Sequence, residues 1–243
     1  MDGFDQYTKR DADFLKWRTD VTCEYKATQR LFDFIFQDRP EAVLEIGCGD
    51  GIALHYTNPG EYIGVDTSLA RLRIGSIQNK DQTFIQGDGT SLPFRSGQFD
   101  LVFCMGTLHH LSKQGAFLMI QEMIRVCKEG GQVAITEPNV CNPYLFLFGL
   151  LRKRERGIFH CRPKIFLEYF KRSEKSEEIK LTYYGTFYPI CLASHFFRNR
   201  DFVNSLWFQK LWERTDYIVK KIIPQRFWAG MVIMAKKGCS RGT

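Results

Sequence analysis

Three groups of residues in the first half of the chain have the types and spacing to do chemistry. Gly47, Gly49 and Gly51 form a G-x-G-x-G array directly after the apolar run Ala42-Val-Leu-Glu-Ile46. A glycine turn between a strand and a helix lets backbone approach a ligand and aims amide groups at it, which makes a cradle for an anion or a dinucleotide. The spacing is not the dinucleotide fingerprint, whose third glycine would stand where Ile52 is, nor a P-loop, because no Gly-Lys-Ser/Thr follows. Asp66 closes the second apolar run, about 20 residues past the first, where a carboxylate can accept both hydroxyls of a ribose. Asp88 follows the third run, placed to accept from an exocyclic amine such as adenine N6. His109 and His110 follow the fourth. A neutral imidazole there can deprotonate a phenol or a hydroxyl. The alternative is that Leu108-His-His-Leu111 starts a helix, with one histidine packed and hydrogen-bonded.

The elements around these residues alternate. The spacing of Ala27, Leu31, Phe32, Ile35 and Phe36 predicts an amphipathic helix over Asp20 to Gln37, stopped by Arg39-Pro40. Strands are expected at 42–46, 62–66, 83–86, 99–104 and 132–136, with a brief helix after Gly51 and helices at 69–77 and after Ser112. Ser112 caps the last of these, and Glu129-Gly-Gly131 closes it. Near-continuous apolar strands alternating with helices imply an α/β fold, a doubly wound parallel sheet covered on both faces. Beyond Pro138 the texture changes: residues 139–178 mix the run Tyr144-Leu-Phe-Leu-Phe148 with Arg152-Lys-Arg154 and Lys171-Arg172. Strand-like alternation resumes at 179–190 and 227–235, with a helical stretch over 196–223, so 139–178 is an insertion between sheet elements.

Val43-Leu-Glu-Ile-Gly-Cys-Gly-Asp-Gly51, Ile63-Gly-Val-Asp66, Gln86-Gly-Asp-Gly89, Leu92-Pro-Phe94, Phe99-Asp-Leu-Val102, Leu108-His-His-Leu111 and Glu129-Gly-Gly131 together resemble the motif series of class I S-adenosylmethionine-dependent methyltransferases. The flavour is that of the branch with quinone-biosynthesis and small-molecule enzymes, and the likeness covers about residues 28–137. It implies a Rossmann-like, mostly parallel seven-stranded sheet with the last strand antiparallel, and S-adenosyl-L-methionine as cofactor. By the same resemblance Gly47, Cys48, Gly49 and Gly51 would hug the methionine part, and Glu45 would help orient its amino group. Asp66 with Thr67 would take the ribose, Asp88 and Gly89 the adenine, and the Cys104 carbonyl the ammonium. His109 and His110 are the candidate catalytic bases. No histidine–carboxylate cluster has metal-ligand spacing, and no two of the eight cysteines lie within four positions, so no metal is expected.

The chain reads as one domain over 1–243: a helical cap (1–40), the cofactor core (41–137), an insertion or lid (138–178), and the last strands and helix (179–243). With 44% hydrophobic and 25% charged residues it is ordinary globular material. No apolar run reaches the roughly 18–20 residues of a membrane span, and the acidic, polar start is unlike a secretory signal, so a cytoplasmic protein with reduced thiols is expected. Residues 1–137 hold 14 basic against 19 acidic side chains, and residues 138–243 hold 20 against 8. The second half is thus expected to meet something anionic, including a peripheral membrane surface. The acceptor is expected to be small and hydrophobic or lipid-linked, methylated at oxygen or carbon. RNA-directed methylation, or a silent cofactor-binding interaction protein, is the alternative. Cys104-Met-Gly-Thr107 stands where amino-directed DNA enzymes carry an Asp/Asn-Pro-Pro-aromatic tetrapeptide, which argues against DNA.

Overall fold

A computed structural model describes residues 22–151, 153–173, 175–185 and 204–238. Helix α1 (Thr22–Ile35) leads into strand β1 (Ala42–Ile46), a 3-10 turn (Ile52–His55), β2 (Glu61–Asp66), α2 (Leu69–Gln78) and β3 (Thr83–Gln86). Then come β4 (Phe99–Met105), a second 3-10 turn (Leu108–His110), α3 (Lys113–Val126) and β5 (Cys127–Pro138). The insertion consists of α4 (Pro143–Leu151), a 3-10 segment (Lys153–His160) and α5 (Pro163–Lys171), and it precedes β6 (Ser176–Tyr184). Helix α6 (Leu206–Ile222), a short turn (Gln225–Phe227) and β7 (Gly230–Lys237) follow.

The seven strands make one sheet in the order β3-β2-β1-β4-β5-β7-β6. The pairs from β3 through β5 are parallel, and β7 runs antiparallel to both β5 and β6. Because β1 has β2 on one side and β4 on the other, the chain reverses its direction of winding between β1 and β4. Open sheets of this kind receive ligands at that reversal, beyond the carboxyl ends of the strands.

Side chains alternate across the central strands, so each strand feeds two cores. Leu44, Ile46, Val102 and Ile135 pack with Met119, Ile120 and Met123 of α3 and Phe166 and Phe170 of α5. Val43, Leu101 and Phe103 pack on the other face with Leu31, Phe32 and Ile35 of α1, and with Leu72 of α2. This is a three-layer sandwich, and the predicted doubly wound sheet with its inserted segment is observed. The Ser112 cap is present too, its hydroxyl accepting from the Gly115 amide at 3.0 Å.

Some predicted borders move. Helix α3 ends at Val126 and β5 begins at Cys127, so Glu129-Gly-Gly131 lies within the strand, at an irregularity opposite Phe99 and Leu101. Gly130 has φ +74° there, the left-handed backbone that a bend in a strand demands. The segment after Gly51 forms only a 3-10 turn, and the last helix spans Leu206–Ile222. Residues 1–21 and 196–203 of the expected helical stretches, and 186–190 of the expected strand, lie outside the described residues. Among the described residues no helix is long and apolar enough to cross a membrane.

Candidate functional site

The turn after β1 is shaped by glycine at every second position. Gly47, Gly49 and Gly51 have φ of +73°, +57° and +77°, where a side chain is strained. Space also forbids one at Gly47, where a Cβ would lie 2.3 Å from Thr107 Oγ1, and one on Gly49 would have to displace the Arg71 guanidinium. The Gly47 and Cys48 amides donate to the Val65 carbonyl at 2.7 and 3.2 Å, tying the turn to β2.

Asp66 completes that tie. One carboxylate oxygen accepts from the Gly49 amide and the other from the Ser68 amide, both at 2.8 Å. A carboxylate has lone pairs for further donors, so Asp66 stays competent to accept from a diol while it holds the turn and the start of α2. Thr67 is exposed beside it, and its carbonyl accepts from Gln86 Nε2 at 3.0 Å. Asp88 is exposed after β3, and its Oδ1 takes both the amide and the hydroxyl of Thr90 at 2.8 Å. A Cβ on Gly89 would strike Ile46 Cγ2 at 2.6 Å, so that loop lies close against β1.

Glu45 is buried under the turn and accepts from the Tyr62 hydroxyl. Burial pushes its carboxyl up to about 8, and the neighbouring Asp66 and Asp50 reinforce the rise. Arg71, on α2, opposes them. It reaches over Gly49 to within 3.4 Å of Asp50 Oδ1, so a guanidinium lies across a turn ringed by acids. Nothing in the spacing of α2 distinguished Arg71 from a solvated helix residue. Burial also raises the Cys48 and Cys104 thiols well above their ordinary range, so neither is a nucleophile.

Two predicted details change. Cys104 does not end its strand: it sits in the ladder between Ile46 and Ile135, and β4 runs on to Met105. The Met105 carbonyl accepts from the Thr107 hydroxyl at 3.3 Å. The two histidines also have unequal surroundings. His109 is buried, with Nδ1 2.7 Å from Glu137 Oε2, whereas His110 is exposed and tilts against the His109 ring, centroids 3.9 Å apart. Desolvation on its inner side and the adjacent His109 push the His110 imidazole down, so it is neutral at pH 7.

Glu137 was missed by the sequence reading. It ends β5 fully buried, with Oε1 accepting the Thr107 and Leu108 amides at 2.9 and 2.7 Å and Oε2 facing His109 and the Cys161 thiol, the latter at 3.7 Å. The adjacent asparagines extend the hub. Asn139 Nδ2 donates to the carbonyls of Arg226 and Trp228 at 2.9 and 2.7 Å. Asn142 Nδ2 donates to Phe227 while its Oδ1 caps α4 through the Tyr144 and Leu145 amides. The signal available was the polarity of Glu137-Pro-Asn139 and Asn142 next to a buried strand.

His109, Glu137 and Cys161 bring one potential ligand atom each within 4.8 Å of one another. Hydrogen bonds already explain this cluster, since both oxygens of Glu137 are engaged. Burial raises the Cys161 thiol far from the thiolate a metal would need.

Residues 44–135, the stretch that carries this geometry, match the family described as Methyltransferase domain. Over 112 residues the chain is 33% identical to "Probable tRNA methyltransferase 9B" of Homo sapiens, which is 45% of this chain and 24% of that protein. Over 99 residues it is 33% identical to "Demethylmenaquinone methyltransferase" of Renibacterium salmoninarum, 40% of this chain and 41% of that one. The chain therefore spans less than half the length of these relatives. A crystal structure of a SAM dependent methyltransferase from Archaeoglobus fulgidus superposes with a TM-score of 0.61 at 18% identity, over 92% of this chain and 99% of that one. Glycine turn, Asp66 and strand order converge with that match on a methyltransferase domain over residues 44–135.

Proposed function

We propose that the protein transfers a methyl group from S-adenosylmethionine to the oxygen or carbon of a small hydrophobic or lipid-linked acceptor. The cradle fits that cofactor: its three glycines hold left-handed backbone, Gly47 has no room for a side chain, and both signs of charge surround the turn. The backbone of Gly47, Cys48, Gly49 and Gly51 would hold the methionine part, and Arg71 its carboxylate. The Cys104 carbonyl, near the carboxyl end of β4, would take the ammonium. Asp66 with Thr67 would hold the ribose, and Asp88 with Gly89 the adenine. Glu45 supports the turn from below through Tyr62.

When bound, the cofactor supplies an electrophilic methyl on a sulfonium. The chain's task is to hold the acceptor in line with it and, for a hydroxyl acceptor, to remove a proton. His110 is neutral and exposed, and it takes that role. His109, held by Glu137, is a positioning residue that sets the loop carrying His110.

One observation carries the acceptor class. Helix α4 begins five residues after β5 reaches the crevice edge, and it leaves Phe146, Leu147, Leu150 and Leu151 exposed by 48%, 53%, 51% and 77%. The sequence left that segment open as lid, core or membrane contact, and these four apolar side chains are at the surface. Formation of S-adenosylhomocysteine should be measured against phenols and quinone precursors, extracted lipids, and tRNA. The proposal expects turnover with the apolar pools and its loss in His110→Gln. Turnover with tRNA alone overturns the acceptor class. Cofactor binding without turnover in any pool overturns the enzyme and leaves the silent binding protein.

A further inference from the structure

Helix α6 is built differently from the helices that cover the sheet. Helices α1 and α3 bury their apolar stripes in the two cores, but α6 has no buried residue along its 17 positions. Its apolar side chains divide. Phe208, Trp212 and Val219 are half-buried. Trp207, Leu211, Ile218 and Ile222 are exposed by 64%, 46%, 54% and 72%. Their spacing of i, i+4, i+11 and i+15 gathers the four within about 60° of one another on the helix.

Charge follows the same spacing. Lys210, Arg214 and Lys221 are exposed and make a parallel stripe beside the apolar one. Both acids of the helix are engaged elsewhere, Glu213 with Lys26 of α1 at 3.0 Å and Asp216 with Lys220 at 2.5 Å. The exposed face therefore carries its cations along the middle, with the apolar stripe on one side of them and exposed Leu206 and Tyr217 on the other. A run of 17 residues is about 25 Å long, and it is too polar to cross a bilayer.

We infer that α6 is an interfacial helix that seats the protein on an anionic lipid surface, its apolar stripe entering the headgroup region and its cations meeting the lipid charge. Lipid fits better than nucleic acid, because the stripe is mostly aliphatic: Leu211, Ile218 and Ile222 offer no ring on which a base could stack, and Trp207 offers one. The placement also suits a hydrophobic acceptor. The turn after α6 is bonded through Arg226, Phe227 and Trp228 to Asn139 and Asn142, where β5 ends and α4 begins. The end of α6 thus lies beside the crevice edge. Of the Arg152-Lys-Arg154 cluster, Arg152 lies outside the described residues.

The test uses the full chain and needs no turnover. Sedimentation with vesicles of phosphatidylcholine mixed with phosphatidylserine should show binding that falls as salt rises, and little binding to phosphatidylcholine alone. Replacing Lys210, Arg214 and Lys221 together by Gln should weaken it about 100-fold, at about fivefold per charge. Leu211→Gln with Ile218→Gln should abolish it, with cofactor affinity by calorimetry unchanged in both variants. No partition of the wild type at low salt overturns the inference, as do variants that bind as well as wild type. Retention of RNA in place of vesicles overturns it too. A failure of cofactor binding would instead strike the proposed activity and leave the vesicle result standing.

Discussion

Glu137 is the group whose removal has the most legible cost. Its carboxylate serves the Thr107 and Leu108 amides through one oxygen and His109 through the other, all within 2.9 Å, the Leu108 and His109 bonds buried and the Thr107 bond partly so. Glu137→Ala leaves those three donors without an acceptor, at about 1–3 kcal/mol each. The expected loss is about 3–6 kcal/mol, allowing for partial rescue by water, and that is a large share of a domain's usual stability. Glu137→Gln is the internal control. Its amide oxygen can still serve the two backbone donors, and its NH2 can donate to His109 Nδ1 in the other tautomer, so the loss is at most that of one charge-assisted bond, about 1–3 kcal/mol. Urea unfolding followed by circular dichroism should show both midpoints falling with unchanged slope, Ala well below Gln. An Ala variant within about 1 kcal/mol of wild type would refute the hub, because no buried donor could then depend on Glu137. Equal losses for Ala and Gln would show that the two amides find other partners.

Asp66→Ala should weaken cofactor binding by about 2–4 kcal/mol, since it removes the diol acceptor and loosens the Gly49 amide; calorimetry with unchanged affinity would remove Asp66 from the site. Arg71→Met should cost about 1–2 kcal/mol of cofactor affinity, a charge-assisted pair discounted for its partial exposure, and tighter binding in that variant would mean the guanidinium obstructs the cradle. Glu45 holds its proton in the folded chain up to about pH 8, whereas in the unfolded chain it ionises near 4.5. The unfolded state binds fewer protons in that window, so stability should fall as pH rises from about 4.5 to about 8, by about 1.4 kcal/mol per unit from this group. Glu45→Gln should flatten the slope, and an unaltered pH profile of thermal unfolding would contradict it.

The first five strands, the glycine turn and Asp66 were readable because apolar runs and glycine placement are local properties. The start of β5 was not. Glu129-Gly-Gly131 looks like a helix terminator, and only pairing with β4 makes it a bend inside a strand. Glu137, Asn139 and Asn142 escaped for a related reason: their partners lie up to 89 residues away, and no periodicity announces a buried polar side chain. Arg71 was hidden by its helix, since its role depends on the turn it crosses. The histidine pair was half legible. The spacing pointed to the loop, but only the partner Glu137 separates the anchoring ring from the accessible one.

The position of β7 has a consequence for how the chain is made. It fills the slot between β5 and β6, with Ile233 paired to Ile135 about a hundred residues earlier in synthesis. Until residues 230–237 leave the ribosome, β5 is an open edge of Val133, Ala134 and Ile135, and β6 has no neighbour to join. Nascent chains of this length expose a template for wrong strand pairing during that interval. Such long-range closure also slows folding relative to the β1–β4 half, which can assemble from closer contacts. A fragment ending before residue 230 would therefore lose more than one strand, because β6 would come away from the sheet with β7.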